Sequence, residues 1–416
     1  MQQHSEPSRA EGEGPSVPLS LYVHLPWCVA KCPYCDFNSH ALRGSLPEDD
    51  YLSALLADLS TETGRAEERQ IVSVFFGGGT PSLFSAAAIG RFLDSVATTL
   101  KLASDVEVTL EANPGTIEHG DFAAYRDAGI NRISLGAQSF DDGLLKAIGR
   151  IHGHADVHRA IDDIVAAGYG RFNIDLMHGL PGQTEETAHN DLVTALEYDP
   201  PHLSWYELTI EPNTLFWHER PQLPDDDLLW QIYMDGCETL TAAGYTRYEV
   251  SAFAAPGAQS VHNRNYWEFG DYLGIGAGAH GKLTDQSTGR VERRIKARHP
   301  SDYTRHAGSD ACVVEHRSLD ENDLVFEFAL NALRLTDGFD EAFFEARTGL
   351  GRSSIKSPLR AALARGLVEH DRQRWRASPL GFRFLNDLQS MFLPEPVPAG
   401  SDAARLQSGF EAPKSA

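Results

Sequence analysis

The sequence predicts an α/β fold in which strands and helices alternate, followed by a smaller helical unit. Six short apolar, β-rich runs alternate with helical patterns in the first half of the chain, and buried parallel strands typically have such near-continuous apolar runs. Polar residues stand at or just after the ends of five of these runs, where such folds place their functional sites. The composition changes at Leu319, after which helical patterns dominate.

The first predicted strand is Leu19–Leu25, and a cysteine-rich loop follows it. The other five strands are predicted at Ile71–Phe76, Val106–Glu111, Arg132–Gly136, Phe172–Met177 and His202–Ile210. Helices are predicted at Pro47–Thr63, Ile117–Ala128, Asp142–Ile148, Ala155–Ala167 and Glu185–Glu197. Repeated strand-then-helix units indicate a parallel sheet, and both an open doubly wound sheet and a partial barrel fit this pattern.

The unit that begins at Leu319 is predicted to contain three helices, a β-hairpin and a closing helix. The elements are Glu321–Arg334, Asp340–Ala346, Ser353–Arg365, the strands Leu367–His370 and Arg374–Ala377, and Leu380–Leu388. This arrangement resembles a winged-helix module, which is often a DNA binder. The net charge of −23 favours a protein-contact or packing role instead, because nucleic acid is bound through basic surfaces.

Composition restricts the partners and the compartment. The acidic net charge argues against nucleic acid and against adhesion to anionic lipid. No run of eighteen apolar residues exists, so we expect no integral membrane segment. The first residues lack the apolar centre of a signal peptide, so we expect a cytoplasmic protein with disordered tails at 1–18 and 394–416. Between the tails we expect a main domain at 19–290, a connecting segment at 291–318 and a C-terminal domain at 319–393.

Three of the five cysteines, Cys28, Cys32 and Cys35, lie in one short stretch with the spacing C-x3-C-x2-C. Thiolates this close in sequence can converge on one metal centre, and three of them would leave one corner of a four-iron cluster open. A structural zinc site completed by His24 or His40 is the alternative. A disulfide with a free thiol is disfavoured by the low cysteine count and the absence of a secretory signal.

The cysteine motif, with Tyr34 before its third cysteine, resembles the radical-SAM superfamily. The sequence around the motif, YVHLPWC…KCPYCDF, resembles the HemN/HemW group of that superfamily. This group contains oxygen-independent coproporphyrinogen III oxidases and HemW-type heme chaperones. The resemblance runs from about Leu19 to Leu388. It implies a partial (β/α)6 barrel, a HemN-type C-terminal domain, a [4Fe-4S] cluster on the three cysteines, and S-adenosylmethionine on the open iron.

The resemblance also implies which residues contact S-adenosylmethionine: Tyr22, Tyr34, Gly78, Gly79, Thr80, Glu111, Gln138, Arg150 and Asp175. Glycines lack Cβ atoms, so main-chain groups of the triple-glycine run could reach the ligand's amine or carboxylate. Glu111 and Arg150 could hold the charged amino-acid end, Asp175 could accept from ribose hydroxyls, and Gln138 can donate and accept. Taken singly, each polar residue fits equally well as a satisfied group at a strand end.

The hexapeptide HNRNYW, which begins at His262, suggests a second ligand. We place this histidine in a polar loop followed by Tyr266 and Trp267, and a histidine beside aromatic residues can ligate heme iron. The hexapeptide resembles a signature of HemW-type proteins that is linked to heme binding, and the nearby GIGAGAH resembles the same group's glycine segment. The competing interpretation is that His262 only stabilises a loop through a hydrogen bond to the backbone.

One departure separates the two branches of the group. Oxidases carry a further cysteine two positions after the third, where this chain has Phe37, and a longer N-terminal segment. These differences favour a heme chaperone that delivers heme to acceptor proteins, with respiratory enzymes at the membrane implied by the resemblance. The alternative is an enzyme that oxidatively decarboxylates coproporphyrinogen III.

Overall fold

Six parallel strands form the centre of the molecule in a computed structural model that describes residues 17–115 and 121–394. They are β1 (Leu19–Leu25), β2 (Gln70–Gly78), β3 (Lys101–Ala112), β4 (Arg132–Gln138), β5 (Phe172–His178) and β6 (His202–Glu207). Each is hydrogen-bonded to the next in chain order. Every residue of β1 and β4 is buried, so their apolar runs pack on both faces of the sheet. The predicted α/β fold is confirmed.

Helices follow the strands and cover the outer face of the sheet. They are α1 (Glu48–Glu62), α2 (Ala86–Thr99), α3 (Asp121–Asp127), α4 (Asp142–Ala147), α5 (His154–Ala166) and α6 (Glu185–Leu196). Helix α2 shows why they form: the Ser85 hydroxyl accepts from Ala88 N at 3.1 Å and caps it, while Ile89, Phe92 and Val96 bury one stripe. The first residues of the helix predicted from Ile117 lie outside the described part of the chain.

The sheet extends beyond the six strands at both edges, to a total of twelve in the described residues. On the β6 side lie β7 (Thr246–Arg247) and β8 (Ala252–Ala254), and on the β1 side lie β9 (Asp271–Gly276), β10 (His280–Thr284), β11 (Val291–Lys296) and β12 (Val313–Ser318). Strand β9 runs parallel to β1, and β10 to β12 form an antiparallel meander. Helices α7 (Leu215–Glu219), α8 (Asp226–Ala242), α9 (Val261–Trp267) and α10 (Pro300–His306) complete this domain.

We expected residues 291–318 to be a segment that connects two domains. In the structure they contribute strands β11 and β12 to the main sheet. Their strand pattern is hidden because cations point inward. Lys296 Nζ lies 2.6 Å from carboxylate oxygens of both Asp58 and Glu62, and Arg293 Nε donates to Glu327 at 2.9 Å. Paired charges of this kind can be buried where an isolated charge cannot.

The C-terminal unit packs around Phe328 and Phe344 in a second apolar cluster, which also includes Phe269 and Val291 of the main domain. Its elements are α11 (Glu321–Ala332), β13 (Phe339–Asp340), α12 (Glu341–Thr348), α13 (Ser353–Ala364), β14 (Val368–Asp371), β15 (Arg374–Ala377), α14 (Pro379–Arg383) and α15 (Leu385–Ser390). The closing helix is thus split in two, because the backbone of Phe384 leaves the helical region. Arg334 forms an ion pair with Glu249 at 3.2 Å and joins the unit to the main domain.

Of the expected tails, residues 1–16 and 395–416 lie outside the described part of the chain. Val17 is buried, and Asp271 N donates to Pro18 O at 2.9 Å, so these two residues belong to the folded domain. None of the described helices has the length and hydropathy needed to cross a bilayer.

Candidate functional site

The carboxyl ends of the parallel strands bring the predicted cofactor residues to one edge of the sheet. Leu25 at the end of β1 is in register with Gly78 of β2, and Glu111 near the end of β3 is in register with Ser134. Asp175 of β5 pairs with Ser204 on β6. Because parallel strands all end on the same side, residues far apart in sequence become neighbours there.

The cysteine loop begins directly after β1 and is closed at its base. Trp27 and Cys28 pair with His40 and Ala41 in a short parallel bridge, and Cys35 N donates to Cys32 O at 3.1 Å. Burial raises the pKa of the Cys28 thiol, a Thr80 hydrogen bond opposes that shift, and the other two thiols add to it. Cys28 thus has both other cysteines of the motif as electrostatic neighbours in the folded loop.

The alternative at this loop is a zinc site completed by His24 or His40. The described residues contain no group of three or more His, Cys, Asp or Glu side chains arranged to hold a single metal ion. His24, a possible fourth zinc ligand, is buried, with Nδ1 sharing a hydrogen bond with Tyr22 OH at 2.9 Å and Nε2 lying 2.9 Å from Asn38 O. In a four-iron cluster each thiolate would bind a different iron, so the three sulfurs need not all contact one metal ion.

The triple-glycine run packs against the cysteine loop. A Cβ on Gly78, whose φ is +118°, would lie 2.6 Å from the His24 ring, and one on Gly79 would lie 2.5 Å from Trp27 O. Gly79 N donates to Leu25 O at 2.8 Å, and Thr80 N donates to Trp27 O at 2.7 Å. These amides are engaged, so any ligand contact from Gly79 or Thr80 comes from another atom.

Glu111 and Arg150 are ionisable groups without an ion-pair partner of opposite charge among the described residues. Gly78 N donates to Glu111 Oε2 at 3.2 Å, and no cation pairs with this carboxylate. Burial raises the pKa of Glu111 to about 8, with the nearby charge of Asp175 as the second cause. The Arg150 guanidinium donates to Gly136 O at 2.6 Å, to Asn113 and to Cys32 Sγ at 3.5 Å, while its buried Nε has no partner. A carboxylate and a guanidinium left in this state match the amino and carboxyl groups of an amino-acid ligand.

Asp175 and Gln138, unlike Glu111, form hydrogen bonds with the side chains of neighbouring residues. Asp175 accepts from Ser134 Oγ at 3.1 Å and from Asn173 Nδ2 at 2.7 Å, and burial raises its pKa. Gln138 ends β4 in the left-handed region with φ +70°, and its side-chain oxygen accepts from Tyr206 OH at 3.3 Å. Each carboxylate oxygen of Asp175 still has acceptor capacity for a ligand hydroxyl.

The two predicted tyrosines lie in different surroundings. Tyr22 is buried in β1, next to Phe75 and His24. Tyr34 packs near Phe216 of α7, and burial raises the pKa of its phenol while the neighbouring Arg150 opposes that shift. Tyr34, inside the cysteine loop, therefore lies near Arg150, whereas Tyr22 lies beside His24 in the first strand.

A cavity of about 220 Å³ opens beside these residues and is lined by Tyr22, Gly78, Glu111 and His262. The prediction that His262 lies in a polar loop is wrong, because it lies in helix α9 and is only 1% exposed. The Ser260 hydroxyl accepts from Asn263 N at 3.2 Å and starts the helix, and the buried Glu107 carboxylate accepts from His262 N at 3.1 Å. An acidic group at a helix N-terminus is favourable, which explains why this polar sequence folds inward.

The environment of His262 keeps its imidazole neutral. Burial lowers its pKa to about 3, and Arg132 adds to the shift. The ring stacks on Phe75 at 4.5 Å between centroids and meets Tyr266 edge-on at 4.8 Å. Ser73 Oγ donates to Ser20 Oγ at 2.8 Å, so it accepts from His262 Nδ1, at 3.0 Å. The lone pair is then on Nε2, which is buried and has no hydrogen-bond partner in the described residues.

Several residues at this site were not predicted. Phe75, Tyr272 and Arg298 also line the cavity, and Asn38 joins its mouth to the cysteine loop. Asn38 stands three residues after Cys35, so its place in the motif was the available signal. For Arg298 no such signal exists, because only the return of the chain after β11 brings it to the cavity.

Comparisons with known proteins agree with this architecture. Residues 22–193 match the Radical SAM superfamily, and residues 319–384 match the HemN C-terminal domain. The heme chaperone HemW of Escherichia coli strain K12 is 50% identical over 378 residues, which span 91% of this chain and 99% of that protein. The heme chaperone HemW of Haemophilus influenzae is 47% identical over 382 residues, or 91% of this chain and 98% of that protein.

A solved structure shares the fold over most of the chain. It is that of coproporphyrinogen III oxidase (HemN) from Escherichia coli, described as a radical SAM enzyme, with a TM-score of 0.77 at 23% identity over 91% of this chain and 90% of that one. At this identity the likeness shows the common fold, whereas the two HemW proteins are related at the level of sequence along nearly their whole length. The chain therefore belongs to the HemW family of radical-SAM proteins.

Proposed function

We propose that this protein is a heme chaperone that binds heme and delivers it to acceptor proteins, and that it holds a [4Fe-4S] cluster and S-adenosylmethionine. The observation that carries the proposal is that the residues proposed to bind S-adenosylmethionine and those proposed to bind heme line one cavity. Glu111 and Gly78, proposed to contact S-adenosylmethionine, line the same cavity as His262 and its aromatic neighbours. The relatives named as heme chaperones support this function, and the resemblance points to respiratory enzymes as acceptors.

The residues present fit the cluster and S-adenosylmethionine. Cys28, Cys32 and Cys35 would each bind one iron and leave the fourth open. Glu111 and Arg150 would receive the amino and carboxyl groups of the ligand, since both are ionisable groups without a described partner of opposite charge. The cluster and S-adenosylmethionine together supply radical chemistry when bound. The contribution of the chain itself is to orient the amino-acid end and to limit access of water.

The lining of the cavity supports a flat, apolar ligand that carries an iron. Phe75 and Tyr266 contact the His262 ring and give this part of the cavity an aromatic lining, which suits an apolar ligand. His262 is neutral, and its Nε2 carries the lone pair that an iron ligand needs. Nε2 is closed from solvent, so ligation through this atom requires the ring to turn towards the cavity that it lines.

A heme titration with two variants tests the proposal. His262→Gln keeps a neutral side chain but removes the imidazole, and His189→Gln, on the exposed face of α6, is the matched control. We expect the parent and the control to load heme and pass it to an apo-heme protein. His262→Gln should load less and transfer none, with its cluster intact. A His262→Gln variant that loads and transfers as the parent does would remove His262 from the heme site. A parent that binds no heme would contradict the proposed function.

A further inference from the structure

The cavity has two chemically different parts. Its wall is aromatic, with Tyr22, Phe75, Tyr266 and Tyr272, whereas its lining also includes the exposed side chains of Arg298 and His280. A ligand that fills such a space has a flat apolar body and a polar edge that stays near the opening.

The cations that line the cavity differ in how they are paired. Lys282 Nζ donates to Asp271 Oδ1 at 2.8 Å, and Arg293 Nε donates to Glu327 at 2.9 Å, so both buried cations are balanced. Arg298 is exposed, and its guanidinium makes no ion pair with any described residue. A guanidinium offers a planar set of donors that matches the two oxygens of a carboxylate.

The backbone that carries Arg298 is held from several sides. Asn38 Nδ2 donates to Arg298 O at 2.9 Å and to Ala277 O at 3.0 Å. One residue earlier, Ala297 N donates to Cys312 O at 2.8 Å, and one residue later, the His299 ring accepts from Ser301 N at the start of α10. The backbone of Arg298 is therefore fixed, so an anion that binds the guanidinium has to order the side chain but not the main chain.

We propose that Arg298 anchors a carboxylate of the cavity's ligand at the opening, and that for heme these carboxylates are the propionates. The proposal rests on the proposed function, because it takes heme as the ligand. It assigns a third role beside those of the aromatic wall and His262. Arg298 would recognise the polar edge of the ligand and set its orientation, with the propionates towards solvent.

The test compares hemin with hemin dimethyl ester, in which the propionates are neutral. Arg298→Gln removes the charge, and Arg305→Gln, an exposed arginine of α10 that pairs with Asp302 at 3.3 Å, is the matched control. We expect Arg298→Gln to bind hemin about 10-fold more weakly than the parent, as for the loss of a charge-assisted hydrogen bond. The control should bind hemin as the parent does, and Arg298→Lys should restore part of the affinity. The ester should bind the parent and Arg298→Gln equally.

Failure of the Arg298 anchor can be distinguished from failure of the proposed function. Equal hemin affinities of the parent and Arg298→Gln would overturn the anchor and leave the proposed function standing. The same conclusion would follow if Arg298→Gln weakened the ester as much as hemin, since the effect would then not depend on the carboxylates. A parent that binds neither hemin nor the ester would overturn the proposed function and the anchor together. Equal thermal unfolding midpoints would show that the variants are folded.

Discussion

Glu111 should make the affinity for S-adenosylmethionine depend on pH, because its carboxyl is neutral in the ligand-free protein. Burial raises its pKa from an ordinary value of 4.5 to about 8, and Asp175 adds to the shift. A ligand that brings a positive charge and an amino donor favours the ionised carboxylate. Binding near neutral pH should therefore release a proton from Glu111, and the affinity should rise with pH.

The size of the effect follows from the ionised fraction of the free protein. With a pKa of about 8 in the free protein and full ionisation in the complex, the apparent affinity rises about 50-fold between about pH 6 and about pH 8. About 0.9 proton is released per bound ligand near pH 7. The same raised pKa lowers the stability of the ligand-free protein. Between pH 4.5 and about 8 the Glu111 carboxyl is ionised in the unfolded chain but still protonated in the folded one, so the free energy of unfolding falls as the pH rises through this range.

Calorimetry of the reconstituted protein under anaerobic conditions measures both quantities, with buffers of different ionisation enthalpy reporting the released protons. Glu111→Gln is the comparison, because the titration of the ligand's own amino group is common to both proteins. The variant should lose the part of the pH dependence that comes from Glu111. The reasoning would be refuted by a parent whose affinity is constant over this range, or by an unchanged slope in Glu111→Gln.

Three further substitutions test the site. Cys32→Ala should abolish the cluster, which in the reconstituted parent should amount to about four irons per chain with broad visible absorption; zinc in the anaerobically purified parent would contradict this. Asp175→Ala should weaken S-adenosylmethionine binding by about 1–3 kcal/mol, because a buried hydrogen bond is lost; an unchanged affinity would exclude Asp175 from the site. Gly78→Ala should lower the thermal midpoint and ligand affinity, because its Cβ would meet His24, whereas Gly64→Ala, with open space around it, should change neither; equal behaviour of the two would contradict the packing argument.

Much of the fold could be predicted because it depends on local patterns. The bounds predicted for Leu19–Leu25 and Arg374–Ala377 coincide with those of β1 and β15. Leu19–Leu25 is a short apolar run, which favours a buried strand, and Arg374–Ala377 alternates exposed and buried residues as a half-buried strand does. The meeting of Glu111 and Gly78 was predictable for a related reason, since parallel strands place their carboxyl ends together.

The remainder depends on partners that are distant in sequence. Strand β11 was missed because its cations Arg293 and Lys296 point into the protein. They can be buried there only because carboxylates from distant parts of the chain, such as Glu327, form ion pairs with them. The helix that carries His262 was missed for the same reason. Its polar sequence resembles a loop until the buried Glu107 carboxylate is known to face its N-terminus.

The choice between chaperone and oxidase is tested most directly by giving the same protein both substrates. Reconstituted protein with an intact cluster is incubated anaerobically with S-adenosylmethionine, a reductant and coproporphyrinogen III, and in parallel with heme and an apo-heme acceptor. Phe37, where the resemblance led us to expect a further cysteine in an oxidase, is exposed and lines the cavity. We expect transfer of heme to the acceptor and no protoporphyrinogen IX. Turnover of coproporphyrinogen III, with no heme transferred, would contradict the account.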